Sequence, residues 1–388
     1  MSGLPRFARD FGGTGARLSR IGEGELGGKA EGLIRAERVL ARCGSELDRI
    51  GFRSDVPRLV VLATGFFDQF VDRNGLAELP ANGASDAAIA DAFHRAPIPP
   101  ELVGDLRALA ENVRVPLAVR SSSALEDAVG EPFAGVYGTK MVPGDQPDAA
   151  ARFRSLLDAV KFVWASACFA RARAYLAATR HRGERERMAV VVQAVVGGRH
   201  GERFYPEISA VARSFDFYPT GDALPEDGVL VLALGLGKTI VDGELCWSVS
   251  LGRPRAGPPF ASARELVENT QRRFWAVRIG APPPYDPMAE TEFLVRAELA
   301  QAEADGALRH VASTFDPASE RILPGTGRRG ARVLDFAPLL VQEELPLVPA
   351  VRALLAACET ELGAPVEIEL ALAVPPGSPP RLGLLQVR

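Results

Sequence analysis

The spacing of apolar positions changes several times along the chain, and each change predicts an element. After Gly27-Gly28, Leu33, Ile34 and Leu40 recur on one side of a helical pattern. A short apolar run over 58–63 reads as a strand, and Thr64 is placed to cap a helix carrying Phe66, Phe67 and Phe70. Ser85 caps another short helix, and Pro99-Pro100 precedes a third that runs through Leu109. Residues 115–120 read as the next strand. Phe153, Leu157, Val160, Trp164 and Ala167 then keep helical spacing within one stretch over 148–179. The arginine-rich segment 180–187 reads as a solvated connection, and the apolar run 188–196 as a strand buried on both faces.

Strands dominate beyond that point, at 208–217, 229–234 and 246–251. Proline- and glycine-rich loops follow at 253–259 and 282–287. A helix over 290–308, a strand over 332–342 and a helix over 348–362 lead to two closing strands, 366–373 and 382–388. A Pro-Pro-Gly-Ser-Pro-Pro turn joins the last two. No internal repeat is visible.

Composition narrows the class. A chain of 388 residues suits two or three packed lobes, and 47% hydrophobic with 24% charged residues is ordinary for a globular enzyme. The net charge of −4 offers no basic footprint for nucleic acid. Cys43, Cys168, Cys246 and Cys358 are far apart and lack metal-ligand spacing, so free thiols in a reducing compartment are expected. No signal-peptide pattern opens the chain and no apolar run approaches roughly 18 residues. A cytoplasmic protein without a membrane span is expected. Lysine is scarce, at four residues, and both Lys29 and Lys238 follow a glycine.

The densest chemistry lies in Leu117-Ala118-Val119-Arg120-Ser121-Ser122-Ser123-Ala124-Leu125-Glu126-Asp127, continuing to Pro132-Phe133-Ala134-Gly135-Val136-Tyr137-Gly138-Thr139. An apolar run ends in an arginine, a serine triplet and a glycine-spaced loop, which is how a fixed cation and backbone N–H groups are set around polyphosphate. An edge strand followed by a polar loop would share the composition. Gly27-Gly28-Lys29 would leave the first N–H groups of a helix open beside a mobile cation, although many such triplets are plain turns. In Val366-Glu367-Ile368-Glu369-Leu370 a period of two puts Glu367 and Glu369 on one face. In Leu384-Leu385-Gln386-Val387-Arg388 it puts Gln386 and Arg388 together, opposite Leu385 and Val387. Two carboxylates, an amide oxygen and a guanidinium are the parts that hold Mg²⁺ and the phosphates it bridges. A merely wetted polar face is the alternative.

These segments resemble, in order and over nearly the whole chain, the nucleotide-binding domain of the phosphoenolpyruvate synthase and pyruvate phosphate dikinase family. The matches are Glu25-Leu26-Gly27-Gly28-Lys29-Ala30, the Val119-Arg120-Ser121-Ser122 segment with its Phe133-Ala134-Gly135 loop, Val191-Val192-Gln193, Leu234-Gly235-Leu236-Gly237, and the closing Glu367-Ile368-Glu369 with Leu385-Gln386-Val387-Arg388. The resemblance implies an α+β, ATP-grasp-like fold of two or three subdomains with nucleotide bound in the cleft between lobes. The expected division is 1–187, carrying the phosphate-binding elements, and 188–388, carrying the adenine and metal elements. ATP and Mg²⁺ are the implied cofactors. Lys29, Arg120 and Arg388 are the implied catalytic residues. Gly28, Ser121, Gly135, Thr139, Gln193, Gly235, Gly237 and Glu367 are further nucleotide contacts, and Glu369 and Gln386 ligate the metal. A buried core strand with one tolerated glutamine accounts for Gln193 equally well.

The chain also departs from the family pattern. Lys238 stands where phosphoenolpyruvate synthases carry glutamate, Glu367 where aspartate is usual, and Ile208-Ser209-Ala210-Val211-Ala212 replaces the usual Ser-Gly-Val segment. Relatives pass a phosphoryl group from ATP to a histidine on a separate domain. His94, His181, His200 and His310 all lack the Gly-Gly-x-x-Ser-His setting of that residue and read as surface positions. The implied function is an ATP-dependent phosphotransferase domain, incomplete on its own, whose acceptor histidine lies on a domain or partner outside this chain. The alternative is a non-catalytic ATP- or AMP-sensing module that regulates a partner.

Overall fold

The computed structural model describes residues 3–9, 16–123, 135–178, 186–258 and 260–388. The chain forms two compact units. One comprises Met1–Ile34, Pro57–Val195 and Val277–Leu294, and the other Arg35–Val56, Val196–Ala276 and Val295–Arg388. The sequence pattern places a single division at 187/188, whereas each unit draws on three segments. The cause is strand pairing: Met188–Ala194 lies between Leu59–Leu62 and Leu117–Ser123, antiparallel to both.

The first unit is built on a five-stranded sheet in the order Leu18–Ile21, Leu59–Leu62, Met188–Ala194, Leu117–Ser123 and Thr139–Val142. Phe67, Phe70, Phe93, Val119, Trp164 and Val190 share its core. Phe70 and Trp164 pack with tilted rings, their centroids 5.0 Å apart. Removing a ring of that size from a core costs about 3–5 kcal/mol.

Two helix ends in this unit differ from expectation. Thr64 begins the helix Thr64–Arg73 without capping it; its Oγ1 instead accepts from the N–H of Glu25 at 3.0 Å. The 148–179 stretch is two helices, Ala149–Ser166 and Ala170–Ala178. The second starts where the Ala170 N–H donates to Asp86 Oδ1 at 2.7 Å, a cap supplied from 84 residues away. Ser85 and Asp148 cap their helices through side chains.

The second unit holds a six-stranded sheet in the order Trp247–Ser250, Val229–Ala233, Ile208–Arg213, Glu367–Ala373, Arg381–Val387 and Arg53–Asp55. Neighbours are antiparallel except the last pair. The helix Leu347–Leu362 ends at Gly363, whose φ of 69° suits a residue without Cβ.

The expected helix over 290–308 is the strand Leu294–Glu298 followed by the short helix Leu299–Ala304. The strand joins the edge of a four-stranded sheet, beside Arg273–Arg278. The Glu298 N–H, bonded to Gln301 Oε1 at 2.8 Å, starts the helix. The expected strand over 332–342 stops at Val333. Phe336 is left-handed at φ 51°, and Pro338 sits in the first turn of the helix Ala337–Leu340, where its missing N–H is harmless. No helix among the described residues is long and apolar enough to cross a membrane.

Candidate nucleotide site

In the first unit, the Leu117–Ser123 strand and the start of the helix Gly28–Ile50 meet through serines. Ser122 Oγ donates to the Leu26 carbonyl at 2.8 Å and accepts from the Ala30 N–H at 3.1 Å. One of the N–H groups that the glycine step was expected to leave open is therefore capped from within the protein. Gly27 is left-handed at φ 77°, and a Cβ there would lie 2.0 Å from the Ser122 carbonyl oxygen, so glycine is required. The helix start is fixed by this contact, which carries Gly28 and Lys29 to the serine triplet. Lys29 Nζ reaches Ser121 Oγ at 3.4 Å.

Arg120 lies across the antiparallel ladder from Thr139 on one side and Val191 on the other. Ala118 pairs with Gln193, so Gln193 is the diagonal same-face neighbour of Arg120. Arg120 Nη1 donates to Gln193 Oε1 at 3.4 Å. Gln193 is 2% exposed, and its Nε2 has no hydrogen-bond partner among the described residues. The Thr139 N–H donates to Glu290 Oε1 at 3.2 Å. Gly135 is left-handed at φ 71°, and a Cβ there would lie 3.5 Å from Arg171 Nη2. Residues 124–134, which carry the Phe133-Ala134 part of the motif, lie outside the described residues.

Lys140, the neighbour of Thr139, is 1% exposed and forms an ion pair with Glu292. Its Nζ also donates to the Asp286 carbonyl at 3.0 Å and lies 5.1 Å from the ring centres of Phe162 and Tyr285. Burial pushes the Glu292 carboxyl up, and Lys140 opposes that shift. Glu290 and Glu292 thus tie the 277–294 segment to the Thr139–Val142 strand. The apolar spacing carries no sign of this, since 290–294 falls within the expected helix.

In the second unit, Glu369 and Gln386 are direct cross-strand partners. Glu367 and Arg388 exchange both backbone hydrogen bonds, at 2.7 and 3.0 Å. The Glu367 carboxylate accepts from Arg388 Nε at 2.7 Å and, on its other oxygen, from Arg213 Nε at 2.5 Å. Burial alone would raise the Glu367 carboxyl, but Arg388 and Arg213 together hold it below the usual carboxylate range. Arg388 Nη2 also lies 3.7 Å from Glu369. Gln386 is fully buried, so it is not part of a wetted face.

The ladder shifts between Glu369 and Leu370, which pairs with Leu384. Leu385 is therefore the extra residue, and the period of two expected for 384–388 breaks there. It packs half-buried against Val196, Ala371 and Ala373.

Gly235 and Gly237 lie on the loop that leaves the Val229–Ala233 strand. Lys238 forms an i,i+4 pair with Asp242 at 3.1 Å. A cavity of about 330 Å³ lined by Glu244, Leu245, residues 270–273 and Arg296 holds none of the residues expected from sequence. Of the histidines, His94 stacks on Tyr285, His200 packs tilted against Tyr205, and His310 pairs with Glu344. Each is half-buried instead of lying plainly on the surface, and His181 is outside the described residues. All four cysteines are free thiols.

The fold is α+β, with Lys29 beside the serine triplet in one unit and the Glu367–Glu369 hairpin in the other. The family model described as "Pyruvate phosphate dikinase, AMP/ATP-binding domain" matches residues 23–388, and the chain belongs to that family. No curated protein matches the chain.

Proposed function

We propose that this domain takes a phosphoryl group from MgATP and passes it to a histidine, or another acceptor, on a domain or partner outside the chain. Lys29 and Arg120 bind the outer phosphates with Gly28, Ser121, Gly135 and Thr139. Gln193, Gly235 and Gly237 hold the nucleoside end. Glu367 fixes Arg388, which neutralises charge as the bond to the transferred phosphoryl group breaks. Catalysis of this kind is mostly positioning and electrostatics.

The observation that supports the nucleotide-binding part of this reading is the Arg120–Gln193 pair. A buried amide donor without a partner costs about 1–3 kcal/mol, and here it lies beside a guanidinium. An acceptor atom of a bound nucleotide would remove that cost. The same observation favours a ligand contact over a merely tolerated core glutamine.

Glu369 and Gln386 fit a Mg²⁺ ion by their chemistry: facing positions, one carboxylate and one amide. Mg²⁺ takes few protein oxygens and keeps waters and phosphate oxygens. When bound, it would offset the charge of the phosphates.

The test is release of ADP or AMP from ATP, measured with and without a histidine-domain protein of this family. Product that depends on the added domain supports transfer, and Glu369→Gln should abolish it while sparing nucleotide binding. Binding of ATP with no product under either condition would favour the sensing module.

A further inference from the structure

The Gly235–Gly237 loop is held by a residue that no sequence motif marks. Gln271 is 5% exposed. Its Oε1 accepts from the Leu234 N–H at 2.9 Å, and its Nε2 donates to the Leu234 carbonyl at 3.0 Å. The second Nε2 proton goes to the Arg273 carbonyl at 2.9 Å. Both amide donors and the amide oxygen are thus spent on backbone, in the pattern a neighbouring strand would make. The amide stands in for a strand at the point where Val229–Ala233 ends, and it ties that point to the start of Arg273–Arg278.

Two more contacts complete the clamp. The Leu236 N–H donates to the Trp275 carbonyl at 2.9 Å, and Ser209 Oγ donates to the Gly235 carbonyl at 2.7 Å. Gly235 is left-handed at φ 82°, and a Cβ there would lie 2.6 Å from the Trp275 carbonyl oxygen. Loops that leave a strand end usually retain conformational freedom. Here the Leu234 N–H and carbonyl, the Gly235 carbonyl and the Leu236 N–H are all fixed by groups of the same unit. Such fixing has a function where a loop must meet a ligand without being ordered by it.

We propose that Gln271, assisted by Ser209, is a positioning residue that preorganises the Gly235–Gly237 loop for the nucleoside part of the ligand. This rests on the proposed nucleotide contacts of that loop. It separates Gln271 from the phosphate-end residues, because the clamp acts on the base and ribose end alone.

The experiment compares ATP, AMP and inorganic tripolyphosphate binding by calorimetry for the unmodified chain, Gln271→Met and Ser209→Ala. Methionine keeps the volume and removes all three hydrogen bonds. Gln271→Met should weaken ATP and AMP by the same factor, about tenfold, and leave tripolyphosphate unchanged. Ser209→Ala, which removes one bond, should show the same pattern at about threefold. A merely structural role would lower the melting temperature of both variants without moving the ratio of nucleotide to tripolyphosphate affinity, and that result overturns the proposal. Should Gln271→Met fail to fold, Ser209→Ala decides, and unchanged nucleotide affinity there overturns it equally. Failure of the unmodified chain to bind any nucleotide is a different result: it would remove the proposed function, and the clamp's role with it.

Discussion

Arg120 illustrates what a single residue contributes. The strand pattern puts it at the end of an apolar run, and the ladder gives it Thr139, Val191 and Gln193 as neighbours. A charged hydrogen bond is worth about 1.5–3 kcal/mol. Arg120→Ala and Lys29→Ala are each expected to weaken ATP binding about ten- to a hundredfold, with AMP losing less, as their proposed contacts are to the outer phosphates. Calorimetric titration of both nucleotides checks this, and equal losses would assign the residues a structural role. Residue types at the site are legible because charge and glycine are conspicuous in sequence. Their partners are not: Glu290 reaches Thr139 from 151 positions away, and Arg213 reaches Glu367 from 154. Arg213 sits where a strand is expected, yet nothing local marks it as the second cation on Glu367.

Glu367 also carries a pH prediction. Its folded carboxyl titrates below the ordinary value of 4.5 because Arg388 and Arg213 outweigh burial. The stability it provides is present above the unfolded value and is lost as pH falls through the folded value. Glu367→Gln should therefore cost about 1–3 kcal/mol at pH 7, and the difference from the unmodified chain should shrink below about pH 4.5. Urea unfolding at pH 7 and pH 3.5 measures it. A gap of the same size at both values would mean that the ion pairs contribute nothing.

At the scale of elements, the closing hairpin is the most legible part. Alternation in both strands predicts that Glu369 and Gln386 face each other, and they are register partners. The bulge at Leu385 is not legible, because one extra residue in a ladder leaves no compositional trace. The helix break near Ala167 is hidden for a similar reason: its cap, Asp86, is remote in sequence. The strands Leu294–Glu298 and Ala331–Val333 differ from expectation because short apolar runs fit either period until a pairing partner or a proline decides.

The junction of the Gly28–Ile50 helix with the serine strand yields a further expectation. Gly27→Ala combines left-handed strain with a contact 2.0 Å from the Ser122 carbonyl oxygen. At Gly75, with φ 63°, an added Cβ would meet nothing within 4 Å, so Gly75→Ala isolates the strain. Strain alone costs about 1–2 kcal/mol, and overpacking adds about 1–3 kcal/mol. Gly27→Ala should be the more destabilising in urea unfolding. The reverse order would mean that the close approach of Gly27 to the Ser122 carbonyl does not constrain the helix start.

At the scale of the molecule, the residues that the proposed function assigns to the nucleotide are divided between the two units. The first holds Lys29, Arg120 and Gln193, and the second holds the hairpin and the clamped glycine loop. Single boundaries drawn along a sequence miss such interleaving, since a strand belongs to whichever sheet it pairs with. The family itself is legible in the order of five short segments, and the match over residues 23–388 bears that out. Binding of MgATP lies at the root of the proposed function. Its most direct test is the melting temperature of the chain, with calorimetric titration, across increasing MgATP. Saturable binding is expected, with stabilisation of roughly 2.7 kcal/mol when ligand reaches about 100 times its dissociation constant. No heat of binding and no shift in melting at millimolar MgATP would contradict it.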